Sequence, residues 1–127
     1  MDQYHRSHEK KVSAGTGGRR RKSRDKKLAH VGGVFASTKV ADSDTKISVR
    51  ERGGKVRKRL KKASYVNIVL EGGKVKRSKI RRGIESHNPE FVRMNIITKA
   101  AILETDDGKV RVTNRPGQDG VVNGVPA

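Results

Sequence analysis

Three glycine-bearing turn signals, Gly53-Gly54, Gly72-Gly73 and Asp107-Gly108, cut the chain beyond residue 40 into short segments that alternate apolar and polar side chains. Alternation with a period of two is the signature of a strand with one face buried. Strands this short, joined by turns this tight, pair as antiparallel hairpins and leave little room for long helices. The fold class expected from this punctuation is all-β, a small barrel of about six short strands in hairpins.

The first hairpin pairs residues 45–52 with residues 55–60 around Gly53-Gly54. A two-residue turn there sets Arg52 opposite Lys55, Arg50 opposite Arg57 and Ser48 opposite Arg59. One face then carries Arg50, Arg52, Lys55, Arg57 and Arg59. The other carries Ile47, Val49, Val56 and Leu60, with Glu51 and Lys58 as diagonal neighbours. Five like charges on one small face are destabilising alone and make sense against phosphates.

The second hairpin runs through Gly72-Gly73 into residues 74–80, where Val75 and Ile80 fall on opposite faces, which implies a bulge or a longer loop. This return strand and its exit hold Lys74, Lys76, Arg77, Lys79, Arg81 and Arg82 with no acidic residue among them. The third hairpin turns at Asp107-Gly108, placing Leu103, Thr105, Val110 and Val112 on one face and Glu104 opposite Arg111 on the other. Residues 121–125 add a last strand. A short helical turn near residue 90 is expected from Asn88 as N-cap, Pro89 at the first helical position and Glu90 near the positive end of the dipole, before a strand over residues 95–99.

Charge narrows the partners. Thirty-one Lys and Arg against thirteen Asp and Glu give a formal charge of +18, which calls for a polyanion. Residues 1–30 hold ten basic and three acidic side chains and few apolar ones. Within them Arg19, Arg20, Arg21, Lys22, Arg24, Lys26 and Lys27 follow Gly15-Thr16-Gly17-Gly18, a permissive backbone leading into a cationic string. The domain division expected is a basic N-terminal arm over residues 1–38, disordered without RNA, and a β-barrel body over residues 39–127.

Enzyme chemistry finds no foothold. The chain has no Cys, hence no disulfide, thiol nucleophile or cysteine-type zinc site. The pairs Gly54-Lys55, Gly73-Lys74 and Gly108-Lys109 are each followed by Val, where a P-loop needs Ser or Thr. His8-Glu9-Lys10-Lys11-Val12 begins like a zinc-protease helix and lacks the second histidine. His5, His8, His30 and His87 suit surface or RNA contacts better than a metal, and no metal or cofactor is expected. No apolar run is long enough for a membrane span. With Tyr65 and Phe91 the only aromatics beyond residue 40, recognition of an RNA is expected to rest on phosphates, sugar hydroxyls and RNA shape, while double-stranded DNA could satisfy the same charges, so composition alone leaves the type of nucleic acid open.

Two C-terminal blocks carry a resemblance. His87-Asn88-Pro89 leading into Val92-Arg93-Met94-Asn95-Ile96-Ile97-Thr98-Lys99-Ala100-Ala101-Ile102 is one, and Val112-Thr113-Asn114-Arg115-Pro116-Gly117-Gln118-Asp119-Gly120-Val121-Val122-Asn123 is the other. With Gly17-Gly18-Arg19 and Arg52-Gly53-Gly54-Lys55, they resemble the archaeal and eukaryotic small-subunit ribosomal protein eight-e family in its compact, archaeal-type form. The likeness covers nearly the whole chain. It departs at the longer, His-rich N-terminus and at Gly32-Gly33-Val34-Phe35, which stands in place of a more polar stretch.

The resemblance implies a small β-barrel with an extended basic arm, packed into small-subunit ribosomal RNA. The implied protein is a structural constituent of the small ribosomal subunit, cytoplasmic and not an enzyme. It has no small-molecule substrate or membrane partner and is a monomer within the ribosome beside neighbouring ribosomal proteins. A ribosome-assembly factor sharing the domain and a non-specific nucleic-acid binder are the alternatives. The RNA-contact set expected is the arm string from Arg19 to Lys27, the hairpin cations Arg50, Arg52, Lys55, Arg57 and Arg59, and the return-strand cations Lys76, Arg77, Lys79, Arg81 and Arg82. Arg115 and Gln118 join it if the turn pairs Pro116-Gly117 and Asp119-Gly120 form a presenting loop, rather than one that only closes the barrel.

Overall fold

The computed structural model describes residues 14–18 and 31–127, with the side chain of Arg52 outside that description. Its strands are β1 (Lys39–Val40), β2 (Thr45–Arg50), β3 (Val56–Ala63), β4 (Tyr65–Val69), β5 (Val75–Glu85), β6 (Ile102–Thr105), β7 (Gly108–Val112) and β8 (Asn123–Pro126). Two short α-helices, α1 (Pro89–Arg93) and α2 (Pro116–Asp119), and two single 3-10 turns at Arg52–Gly54 and Glu71–Gly73 complete the described elements. β4, β5, β6, β7 and β8 close into a barrel, while β1, β3 and β2 form a separate three-stranded sheet. The chain passes from β3 into β4 through Ser64, whose amide is held by Asp44 Oδ1 at 2.7 Å.

The two Gly-Gly turns share one geometry. Glu51 N donates to Lys55 O, and Leu70 N donates to Lys74 O, so each loop holds three residues rather than two. Both glycines of each loop take positive φ, 77° and 76° in the first and 79° and 76° in the second, a region open to glycine without strain. In the first hairpin this overturns the two-residue turn at Gly53-Gly54. Arg50 pairs with Val56, Val49 with Arg57 and Ile47 with Arg59. A slip of one residue moves every side chain to the other face, so Arg50 is separated from Lys55, Arg57 and Arg59. In the second hairpin the longer loop occurs, but β5 pairs with β4 without a bulge, so Val75 and Ile80 do lie on opposite faces, Val75 exposed and Ile80 buried; register shifts come only after Ile80, against β6.

The third hairpin turns at Asp106-Asp107, with Thr105 opposite Gly108 and Leu103 opposite Val110. Its register differs from the expected one by two residues, an even slip that preserves faces, so Leu103, Thr105, Val110 and Val112 are all buried. Glu104 is opposite Lys109 rather than Arg111. No strand forms over residues 95–99. Asn95 takes a φ of 51°, and Ile96 makes only an isolated bridge to Lys39. Ile96 and Ile97 are buried all the same.

The barrel core is aliphatic. Leu60, Val66, Ile68, Ile80, Ile97, Leu103, Val110, Val112 and Val122 pack together with Ala63, each large side chain contributing about 1.5–3 kcal/mol on burial. Parallel pairing of β4 with β8 closes the barrel through Asn67 opposite Asn123 and Ile68 opposite Gly124. Closure requires a close approach at Gly124. A side-chain carbon there would stand 2.4 Å from Val110 Cγ1 and 2.7 Å from Arg111 O.

Candidate nucleic-acid interface

The cations of the body fall into two classes, set by which strands lie beside them. β5 runs between β4 and β6 in the barrel, and its basic side chains meet carboxylates brought in from both sides. Lys76 pairs with Asp107, Arg81 with Asp106, and Arg82 with Glu104 at 2.6 Å. On the other flank Arg77 meets Asp44 at 3.5 Å and Lys79 meets Asp42 at 3.9 Å. The Lys76 ammonium, hydrogen-bonded to Asp107, holds that carboxyl below its ordinary range. A strand that reads in sequence as unrelieved positive charge is therefore neutralised within the fold. Five of the ten carboxylates in residues 31–127 are committed to it.

The β2–β3 hairpin differs. In its observed register one face carries Lys46, Ser48 and Arg50 from β2 with Val56, Lys58 and Leu60 from β3. Lys46, Arg50 and Lys58 are exposed and have no carboxylate partner among the described residues. The opposite face carries Ile47, Val49, Arg57 and Arg59, with Glu51 and Lys55 at the turn, and there Glu51 pairs with Arg57 at 3.3 Å. The cationic cluster expected at Arg50, Arg52, Lys55, Arg57 and Arg59 is thus divided between two faces. The triad Lys46, Arg50 and Lys58 replaces it as the unmatched group on one face of this hairpin. Lys61 and Lys62 continue the exposed basic run along β3.

α2 packs against β3 and extends this surface. A side-chain carbon on Gly120, the left-handed cap of α2, would stand 3.1 Å from Lys58 O and 3.7 Å from Lys58 Cβ. The loop leading into α2 is fixed by its own side chains. Asp119 Oδ2 accepts from Arg115 N at 3.0 Å and from Asn114 Nδ2 at 3.2 Å. Asn114 Nδ2 also donates to Val121 O at 2.9 Å, and Asn114 Oδ1 accepts from Asn123 N at 2.9 Å. Arg115 and Gln118 are exposed on this rigid turn.

Sequence reasoning missed Lys46 and Lys58, and a signal for them was present. The second hairpin shows that Gly-Gly-Lys-Val follows a longer loop, and the same four residues occur at Gly53-Gly54-Lys55-Val56. It also left Tyr65 open as a core residue. In the fold Tyr65 lies on the outer face of β4, 40% exposed, with the Arg77 guanidinium 4.1 Å from its ring centre. The arm residues Arg19, Arg20, Arg21, Lys22, Arg24, Lys26 and Lys27 lie outside the described residues, as does the Arg52 side chain. Among the described residues no cluster of His, Asp and Glu is placed to hold a metal, and no helix is long and apolar enough to cross a membrane.

Comparison with known proteins adds an independent line. Residues 5–126 match the family model described as Ribosomal protein S8e. The chain is 39% identical over 125 residues to the small ribosomal subunit protein eS8 of Sulfolobus acidocaldarius, covering 97% of this chain and 95% of that one. It is 39% identical over 112 residues to the Staphylothermus marinus protein of the same name, covering 87% and 88%. The Pyrobaculum aerophilum protein of that name is 42% identical over 113 residues, covering 87% and 86%.

Proposed function

The chain belongs to the Ribosomal protein S8e family, a family of ribosomal proteins rather than enzymes, and from that premise we propose that it is a structural constituent of the small ribosomal subunit. In this reading it binds and stabilises ribosomal RNA through phosphate and shape contacts. The observation that carries the interface is the division of charge. β5 meets its carboxylates inside the fold, while Lys46, Arg50 and Lys58 stand exposed and unmatched among the described residues beside α2. Phosphates are the counter-charge that such a face suits, since Lys and Arg contacts to them set register and orientation on a nucleic acid. Arg115 and Gln118, exposed on the α2 turn, join the contact set, as do Lys55, Arg57 and Arg59 on the opposite face of the hairpin. The matched cations Lys76, Arg77, Lys79, Arg81 and Arg82 contribute less, because a phosphate must displace a carboxylate to reach them.

The arm cations from Arg19 to Lys27 supply further phosphate contacts in this proposal, as part of a basic N-terminal arm that orders on RNA; of its expected span over residues 1–38, Thr38 is already buried in the body, where its Oγ1 donates to Leu60 O at 2.7 Å. Its partners are small-subunit ribosomal RNA and neighbouring ribosomal proteins, with one copy per cytoplasmic ribosome. The test is to sediment cell lysate through a high-salt gradient and quantify the chain against known small-subunit proteins. Stoichiometric presence in mature small subunits is expected. Enrichment only in immature particles would assign it to assembly instead, and absence from both would leave a general nucleic-acid binder.

A further inference from the structure

At the junction of the two sheets a cleft of about 250 Å³ is lined by Asp44, Lys46, Leu60, Tyr65, Asn67 and Arg77. Its parts are unlike the phosphate-binding face. Tyr65 presents an aromatic wall, and Arg77 lies over that ring at 4.1 Å. Arg77 is itself held by Asp44 Oδ2 at 3.5 Å, while Asp44 Oδ1 is fixed by the Ser64 amide at 2.7 Å. The platform is therefore positioned from behind, and the charge of Arg77 is already answered. Val121, 36% exposed, supplies an apolar floor, and the buried Leu60 and Val122 also line the cleft. Asn67 Nδ2 donates to Asn123 Oδ1 at 3.0 Å, which leaves the Asn67 carbonyl oxygen as an acceptor among the described residues. Lys46 stands at the rim.

We infer that this cleft is a subsite for one unpaired nucleobase of the bound RNA, stacked on the Tyr65–Arg77 platform, with its edge toward Asn67 and its phosphate toward Lys46. The inference rests on the RNA-binding reading and deepens it by adding a base contact to a surface otherwise built for phosphates. A phosphate alone gains nothing from an aromatic wall and an apolar floor, whereas every base has a flat face to stack there. A paired base keeps both faces in its own helix, so the ligand is a base splayed from a bulge or loop. Three kinds of group meet in one place: a stacking plane, an edge acceptor and a rim cation. A nucleotide presents the matching three.

The test uses the full chain with two RNAs, a fully paired blunt duplex and the same duplex carrying one unpaired 2-aminopurine. Binding is followed by competition and by the fluorescence of the probe. The bulged RNA is expected to bind about tenfold tighter, within the range of a single base–aromatic stack, with the probe quenched. Tyr65→Ala and Tyr65→Leu should lower the bulged affinity to that of the paired RNA, while Tyr65→Phe keeps the preference. Melting temperatures of the three variants check that the fold is retained, and the Leu variant keeps apolar bulk where the Ala variant does not. Equal affinity of the wild-type chain for the two RNAs, or a preference that survives Tyr65→Leu, overturns the base site. Failure to bind either RNA overturns the RNA reading itself, a separate result because the paired duplex does not require Tyr65.

Discussion

Neutralising Lys46, Arg50 and Lys58 together, each as Gln, should flatten the salt dependence of RNA binding far more than neutralising Lys76, Arg81 and Arg82. Both triple variants lower the formal charge by the same three units, from +18 to +15. A protein that holds RNA by net charge alone would therefore respond equally to the two. The structure separates them, because the second set faces Asp107, Asp106 and Glu104 and the first faces no carboxylate among the described residues. Each phosphate contact contributes roughly 0.7–0.9 to the slope of log affinity against log salt. Three lost contacts thus remove about 2–3 slope units, which over a fourfold change in salt amounts to roughly 20–40-fold in affinity. The β5 triple should move the slope by less than about one unit. Filter binding or fluorescence anisotropy between 50 and 200 mM salt, roughly the range over which such slopes are read, gives both numbers. Equal slopes for the two triples would falsify the division of cations into folding and binding classes.

Three further outcomes follow from packing and titration. Gly124→Ala places a carbon 2.4 Å from Val110 Cγ1 and should lower the melting temperature by about 10 °C or more; Gly83→Ala, with nothing within 4 Å of the added carbon, should melt within a few degrees of the parent. Asn114→Ala removes the side chain that joins Asp119, Val121 and Asn123, and should cost about 1–3 kcal/mol in denaturant unfolding while increasing amide exchange in residues 115–121. The Asp107 carboxyl is held low by Lys76 in the folded chain, so its contribution is present at neutral pH and is lost as pH falls below about 4 through the folded value. Asp107→Asn should accordingly lose stability at pH 7 relative to the parent and converge with it in acid, which melting curves across that range would show.

What could be read in the sequence depended on how far apart the interacting residues lie. The start of α1 was legible because its cap is local, with Asn88 Oδ1 accepting from Glu90 N at 3.0 Å. The buried face of the third hairpin was legible despite a misplaced turn, since the error of two residues returns each side chain to the same side. An error of one at Gly53-Gly54 was enough to compose a cationic face that does not exist. The irregular path after α1 was hidden because Ile96 and Ile97 are as apolar as any strand residue, and only the left-handed Asn95 breaks the run. The ion pairs of β5 were invisible to any local reading. Lys76 and Asp107 stand 31 positions apart, and Arg77 and Asp44 stand 33 apart.

The location of the matched and unmatched charges follows from the sheets that hold them. β5 is flanked by strands on both sides, and each of its five cations meets a carboxylate brought in from elsewhere in the chain. The hairpin stands outside the barrel, and β2 is an edge strand of its sheet. Lys58 is opposite Ser48, which makes Lys46 and Arg50 its diagonal neighbours at roughly 7–8 Å. At that separation two unit charges in water repel by only ~0.5 kcal/mol, and salt at physiological strength screens part of that. The free protein can therefore leave these three charges unmatched at small cost. The five carboxylates spent on β5 are unavailable to the hairpin. A chain with ten carboxylates and twenty-one cations over residues 31–127 cannot match every charge. Five of its carboxylates go to β5, and in the proposed function the unmatched exposed cations are left for RNA phosphates to neutralise.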